Sequence, residues 1–147
     1  MTINIQKISK DAIIPTCGSP YAAGCDLYAV VEGGQEIIRA DETKKIGTGI
    51  CLEIPEGYFG AIFARSGLAA NRGLRPANCV GVIDPDYRGE IIVALHNDLV
   101  YDQIIHSGDR IAQLVILPRY DVVFKETNSL SDTERGDGGF GSTGVSI

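Results

Sequence analysis

Apolar residues in this chain come in short runs, many of them alternating with polar ones, and glycine, proline, asparagine and aspartate cluster between the runs. Alternation over Ile3–Ile8 predicts an opening strand, closed by Pro15 and Cys17-Gly18-Ser19-Pro20. A β-prone run follows Gly24 as far as Val31, Gly33-Gly34 marks a turn, and Glu36–Arg39, Lys45–Ile54 and Tyr58–Ala64 read as further strands. Arg65–Gly73 is the one helix signal, with Ser66 as N-cap, Leu68, Ala69 and Ala70 as helix formers and Gly73 as terminator. Around Gly81–Leu95 the pattern predicts a hairpin tipped by Asp84-Pro85-Asp86-Tyr87-Arg88, and its nearly continuous apolar arm Ile91–His96 predicts a strand buried on both faces. A short strand is expected between Asp98 and Ser107, a core strand over Arg110–Pro118 and a last one at Val122-Val123-Phe124. Some ten short strands, with turns about every 8–12 residues and one small helix, predict an all-β antiparallel fold, a jelly-roll-like sandwich or barrel.

The pattern stops near Asn128. Beyond it glycine, serine and threonine dominate with Phe140 the one ring, too little apolar surface to fold on itself. We expect one β domain over 1–128 and a mobile glycine-rich arm over 129–147.

Composition narrows the function classes. With 147 residues, 44% of them hydrophobic, the chain suits a single core. A formal net charge of −6 argues against broad binding to nucleic acid or an anionic membrane, so a phosphate ligand needs locally placed arginines. Cys17, Cys25, Cys51 and Cys79 fall in no zinc-binding spacing and are expected to be reduced, structural thiols. The start lacks the apolar core of a secretory signal and no run is long enough to span a bilayer, which reads as a soluble, cytoplasmic protein.

The candidate chemistry lies in separate places. The tip at Asp84–Arg88 gathers two carboxylates, a phenol and a guanidinium, although Asp-Pro-Asp is by itself common turn chemistry. The passage from strand to helix at Arg65-Ser66-Gly67 offers free backbone N–H groups, a hydroxyl and an arginine to an anion. Gln113 is a polar side chain inside a core strand and needs partners, of which a ligand is one. Asp26, among small residues, reads first as a turn or cap residue. In the arm, Arg135 to Gly144 offers an arginine, exposable amides, two hydroxyls and Phe140, and glycine-rich backbone can wrap phosphate oxygens closely. No Walker lysine or following helix is present.

Five segments in order, Ala23-Gly24-Cys25-Asp26-Leu27, Ala64-Arg65-Ser66-Gly67-Leu68-Ala69, Gly81 to Gly89, Gly108-Asp109-Arg110-Ile111-Ala112-Gln113-Leu114 and Arg135 to Gly141, together resemble the trimeric dUTP pyrophosphatase family. The resemblance implies a jelly-roll homotrimer with three sites at subunit interfaces, each covered by an arm from another subunit, and hydrolysis of dUTP to dUMP and pyrophosphate with Mg²⁺. By motif, Asp84 would activate the attacking water, and Tyr87 would pack under the deoxyribose and leave no room for a 2'-hydroxyl. Asn78 and the backbone around Val82, Ile83 and Ile92 would hold uracil. Arg65, Ser66, Gly67 and Gln113 would hold the phosphate chain. Arg135, Gly141, Ser142 and Thr143 would close on the γ-phosphate, with Phe140 stacked on uracil. The family holds its metal through phosphates and waters, so no protein ligand is expected and Asp26 would at most reach the outer shell. Two departures are mild: Cys25 stands where an aromatic is common, and Pro85 lies between the acids of the tip.

Two rivals follow. The related dCTP deaminases share the fold and work without zinc, but usually carry a serine where this chain has Gly67, and the Tyr-bearing tip fits the dUTP enzymes better. The other rival is a catalytically silent relative that senses nucleotide or binds a protein partner, and the intact set of Asp84, Tyr87, Arg135 and Phe140 stands against it. A zinc deaminase is excluded by the missing His-x-Glu and Cys-x-x-Cys pattern.

Overall fold

The computed structural model describes residues 1–140. Its strands are β1 (Asn4–Lys7), β2 (Thr16–Cys17), β3 (Cys25–Tyr28), β4 (Gln35–Ile38), β5 (Thr43–Glu53), β6 (Tyr58–Phe63), β7 (Leu74–Pro76), β8 (Gly81–Ile83), β9 (Glu90–Asn97), β10 (Gln103–His106) and β11 (Arg110–Pro118), with helix α1 at Ser66–Arg72. They form a four-stranded sheet in the order β1-β5-β9-β7, a five-stranded sheet in the order β2-β3-β11-β6-β8, and the pair β10-β4. The pairings are antiparallel. This is the all-β architecture that the alternation predicts.

The core is aliphatic. Leu27, Ile38, Ile50, Leu74, Ile91, Leu95, Ile105 and Ile111 are fully buried, each worth about 1.5–3 kcal/mol of apolar transfer. Asn97 is buried among them and fully used: its Nδ2 donates to the carbonyls of Ile38 (3.1 Å), Arg39 (3.0 Å) and Tyr101 (2.9 Å), and its Oδ1 accepts from Leu99 N–H (3.0 Å). It ties the end of β4 to the loop before β10.

Several expectations are corrected. β9 alternates, with Ile91, Val93, Leu95 and Asn97 buried and Ile92 exposed, because only one face of its sheet meets the core. β8 and β9 are not a hydrogen-bonded hairpin: β8 pairs with β6 and β9 with β5 and β7, so the Asp84–Gly89 turn steps from one sheet to the other. Val122, Val123 and Phe124 form no strand and are exposed, since β-propensity needs a ladder partner and none meets them among the described residues. Cys17 and Cys25 are not thiols but a disulfide, because antiparallel pairing of β2 with β3 sets them directly opposite, Cα to Cα 4.1 Å. Cys51 and Cys79 are free.

From Tyr120 to Phe140 the backbone has neither helix nor strand, and its hydrogen bonds are local, as between Gly136 N–H and Thr133 O or Gly138 N–H and Arg135 O, both 3.1 Å.

Candidate active site

Two groups of side chains stand out. The first is built on the row Asp26–Gln113–Phe63 that register sets across β3, β11 and β6. Just past β6, Arg65 keeps extended backbone (φ −85°, ψ 127°) and is itself the N-cap of α1, without a side-chain capping bond. Ser66 is therefore the first helical residue rather than the expected cap, and it is exposed. The helix's first backbone bonds run from Leu68 and Ala69 N–H to Arg65 O, both 3.0 Å, which leaves the Ser66 and Gly67 amides ahead of the ladder. Gly73 ends the helix in the left-handed region (φ 58°), where a side chain would be strained.

Arg65 folds back so that its Nε donates to Asp26 Oδ1 at 2.7 Å. Arg110 donates to the other carboxylate oxygen at 3.4 Å, from a position set by a β-bulge between Arg110 and Ala112. Asp26 is thus neither turn nor cap: its largely shielded carboxylate orients two guanidinium groups. Gln113 is half-buried, donates from Nε2 to Ala64 O at 2.8 Å, and faces Gly24, where an added Cβ would stand 2.9 Å from Oε1. Arg65, Ser66, Gly67 and Gln113 are brought together as the motif reading expects. Arg110 escaped that reading, because its approach to Asp26 depends on a bulge that spacing does not reveal.

The second group lies at the step between the sheets. Val82, Ile83, Asp84, Tyr87, Glu90 and Ile92 line a cleft of about 160 Å³. Val82 (62% exposed) and Ile92 (45% exposed) are apolar side chains left uncovered at its wall, the composition of a seat for a flat, largely apolar ligand. Asn78 is not among the lining residues; its Nδ2 lies 3.5 Å from where a Cβ on Gly81, just before Val82, would be. The turn is closed by Tyr87 N–H to Asp84 O at 3.2 Å and clipped by Arg88, whose guanidinium donates to Pro85 O (2.6 Å) and Tyr87 O (3.0 Å). With Arg88 so occupied, Asp84 stands exposed at the rim. On its other side a wider hollow of about 580 Å³ is lined by Glu56, Asp86, Arg88 and Arg119 among others. Glu36, whose carboxyl the Lys44 ammonium holds below its ordinary value, and Arg75, whose guanidinium Asp98 holds above its own, belong to neither group.

One chain does not bring the two groups to one point. Ile83 pairs with Gly60 and Gly81 with Ile62, so β8 runs away from the β6–α1 junction and delivers Asp84 level with Phe59. Arg65 lies roughly six strand positions further on, about 20 Å at ~3.3 Å per residue. No hydrogen bond or ion pair among the described residues joins the groups. Among the described residues Arg135 donates only to Gly138 O, at 2.9 Å, and the Phe140 ring is fully exposed, so neither meets either group there. Gly141, Ser142 and Thr143 lie outside the described residues.

Similarity to known proteins extends along nearly the whole chain. The dUTPase family model matches residues 10–144. A deoxyuridine 5'-triphosphate nucleotidohydrolase of Anaplasma marginale is 47% identical over 132 residues, 90% of this chain and 89% of the relative, and one of Syntrophotalea carbinolica is 42% identical over 98% of this chain and 97% of the relative. Among solved structures, the dUTPase of Staphylococcus bacteriophage 80alpha with dUpNHpp superposes with a TM-score of 0.89 at 28% identity, over 98% of this chain and 99% of that one. A variant of the phage phi11 dUTPase, described with a structural Mg(II) ion, has a TM-score of 0.81 at 23% identity, over 90% of this chain and 100% of that one, a likeness of fold. By motif order, fold and identity along nearly its whole length, the chain belongs to the dUTPase family.

Proposed function

We propose that this protein hydrolyses dUTP to dUMP and pyrophosphate at sites assembled between copies of the chain in a homotrimer. The observation that carries the assembly is the register of β8 on β6, which sets Asp84 and Arg65 at opposite ends of one strand pairing. A nucleotide seated against Tyr87 therefore meets the arginine group of a neighbouring copy. The uncovered apolar side chains of Val122, Val123 and Phe124 support the same reading, since a neighbouring copy would cover them.

In this reading the cleft lined by Val82, Ile83, Tyr87 and Ile92 takes deoxyuridine, with Asn78 and the strand backbone on the uracil edge and the Tyr87 ring beneath the sugar. Asp84 holds a water in line with the α-phosphorus and accepts its proton as the water oxygen bonds to phosphorus. The bond from phosphorus to the bridging oxygen breaks, and pyrophosphate leaves with that electron pair. Arg65, Gln113 and the Ser66 and Gly67 amides hold phosphate oxygens; such positioning and charge stabilisation is most of what phosphoryl chemistry asks of a protein. Arg135, Gly141, Ser142 and Thr143 of the arm close on the γ-phosphate and Phe140 covers the base.

Mg²⁺ fits as a passenger of the substrate. Both Asp26 oxygens are engaged by arginines, and no three His, Cys, Asp or Glu side chains among the described residues are grouped to hold an ion. The phosphates and waters would then be its ligands, with Asp26 the acid beside the phosphate group, and the ion would neutralise charge on the transferring phosphate.

The reading carries no nucleic-acid or membrane partner, in keeping with the net charge of −6. It places the enzyme in the cytoplasm, beside the nucleotide pool; the Cys17–Cys25 disulfide is unusual for that compartment. Pyrophosphate release measured with dUTP, dTTP, dCTP and UTP, alongside ammonia release from dCTP, tests the activity. Selective turnover of dUTP is expected, and ammonia from dCTP or no turnover of dUTP refutes it.

A further inference from the structure

Glu90 is part of the cleft wall, yet its side chain is committed elsewhere. The β5–β9 register runs regularly from Thr43↔His96 to Gly47↔Ile92, then resumes at Cys51↔Glu90, so β5 bulges opposite Glu90. At the bulge Gly49 takes a positive φ (67°) and turns its N–H to Glu90 Oε1 at 2.7 Å. The space the carboxylate occupies exists because Gly47 has no side chain: a Cβ there would stand 2.6 Å from Oε1. Thr48 closes the same stretch, its hydroxyl donating to Ile91 O at 2.6 Å.

The backbone of Glu90 meets the tyrosine. The Tyr87 hydroxyl donates to Glu90 O at 3.0 Å, and its ring lies so close over Gly89 that a Cβ there would come within 2.3 Å of the hydroxyl oxygen and 2.5 Å of Cζ. Gly89 is a glycine for this ring, since its φ is not positive. One continuous chain of contacts thus runs from the β5 bulge through the Glu90 carboxylate and carbonyl to the phenol.

We propose that Glu90 is a positioning residue for sugar discrimination. Its carboxylate, seated in the β5 bulge, fixes the carbonyl that holds the Tyr87 phenol in place, so rejection of a 2'-hydroxyl depends on how well that seat is filled. This rests on the reading of the cleft as the deoxyuridine seat with Tyr87 under the sugar. Without the anchor the ring gains freedom to withdraw and a ribose fits; differences of this size in a packed pocket correspond to about tenfold in specificity.

The test compares kcat/KM for dUTP and UTP in the full-length protein and four variants, with thermal unfolding of each. Glu90→Ala should raise the UTP to dUTP ratio about tenfold. Glu90→Gln keeps an oxygen able to accept from Gly49 N–H and should return the ratio to within about twofold of the parent. Gly47→Ala leaves Glu90 in place but pushes the flexible end of its side chain out of the bulge, so it should shift the ratio in the same direction as Glu90→Ala. Tyr87→Ala separates the two readings. A shift there with none in Glu90→Ala and Gly47→Ala overturns the role of Glu90, and no shift in any of them overturns the sugar-gate reading itself. Lower dUTP turnover or melting temperature at an unchanged ratio marks Glu90 as merely structural and also overturns the proposal. Should Glu90→Ala not fold, Gly47→Ala and Glu90→Gln carry the same comparison.

Discussion

Mixing two inactive variants tests the shared site directly. Asp84→Asn removes the base, and Arg65→Ala removes the guanidinium that Asp26 orients at 2.7 Å. Each homotrimer should be nearly inactive, since a general base is typically worth about 10²–10⁴-fold. Within one chain the two positions lie about 20 Å apart by strand register, so in the proposed trimer each site would draw Asp84 from one copy and Arg65 from another. In a cyclic trimer mixed at random in equal amounts, an intact site needs an Arg65→Ala chain on one side and an Asp84→Asn chain on the other, each with a chance of one half. About one site in four is then restored, and the mixture should recover roughly a quarter of parental turnover. The two chains are unfolded together in equal amounts and refolded, and pyrophosphate release from dUTP is measured on the unfractionated mixture. Mixing Asp84→Asn with Tyr87→Ala is the control, because both changes fall in one segment and no pairing of copies restores it. A mixture of the first pair no more active than its parents refutes the shared site.

Asp84→Asn alone should bind a non-hydrolysable dUTP analogue with unchanged affinity by calorimetry while kcat falls by about 10²–10⁴. Removing residues from Arg135 onward should leave the melting temperature unchanged, since the described part of that segment makes only local hydrogen bonds; it should also abolish most turnover, and full activity would reduce the arm to a solvated end. Asn97→Ala strips partners from three carbonyls and one N–H, so unfolding in urea should show a loss of about 2–4 kcal/mol with the activity per folded molecule retained.

Strand-forming runs were legible without any coordinates: Glu36–Arg39 and Tyr58–Ala64 reappear as β4 and β6 within a residue or so, and the short helix begins at Ser66. The candidate chemistry was equally local, because Asp84, Tyr87, Arg65 and Gln113 sit in compact motifs whose residue types suggest the roles proposed for them. Partnership across the fold was not. The Cys17–Cys25 bond, the hold of Asp26 on Arg65 and Arg110, and the seat of Glu90 in the β5 bulge depend on which strands pair and in what register. Register is set by the whole core, so no window along the chain contains it. Val122-Val123-Phe124 shows the same limit from the other side: its β-propensity is plain in the residues, but a strand needs a neighbour, and this chain offers that segment none among its described residues. The residues determined which chemistry was available; the pairing of β8 with β6, which sends Asp84 to the far end from Arg65, decided how far apart one chain holds these groups.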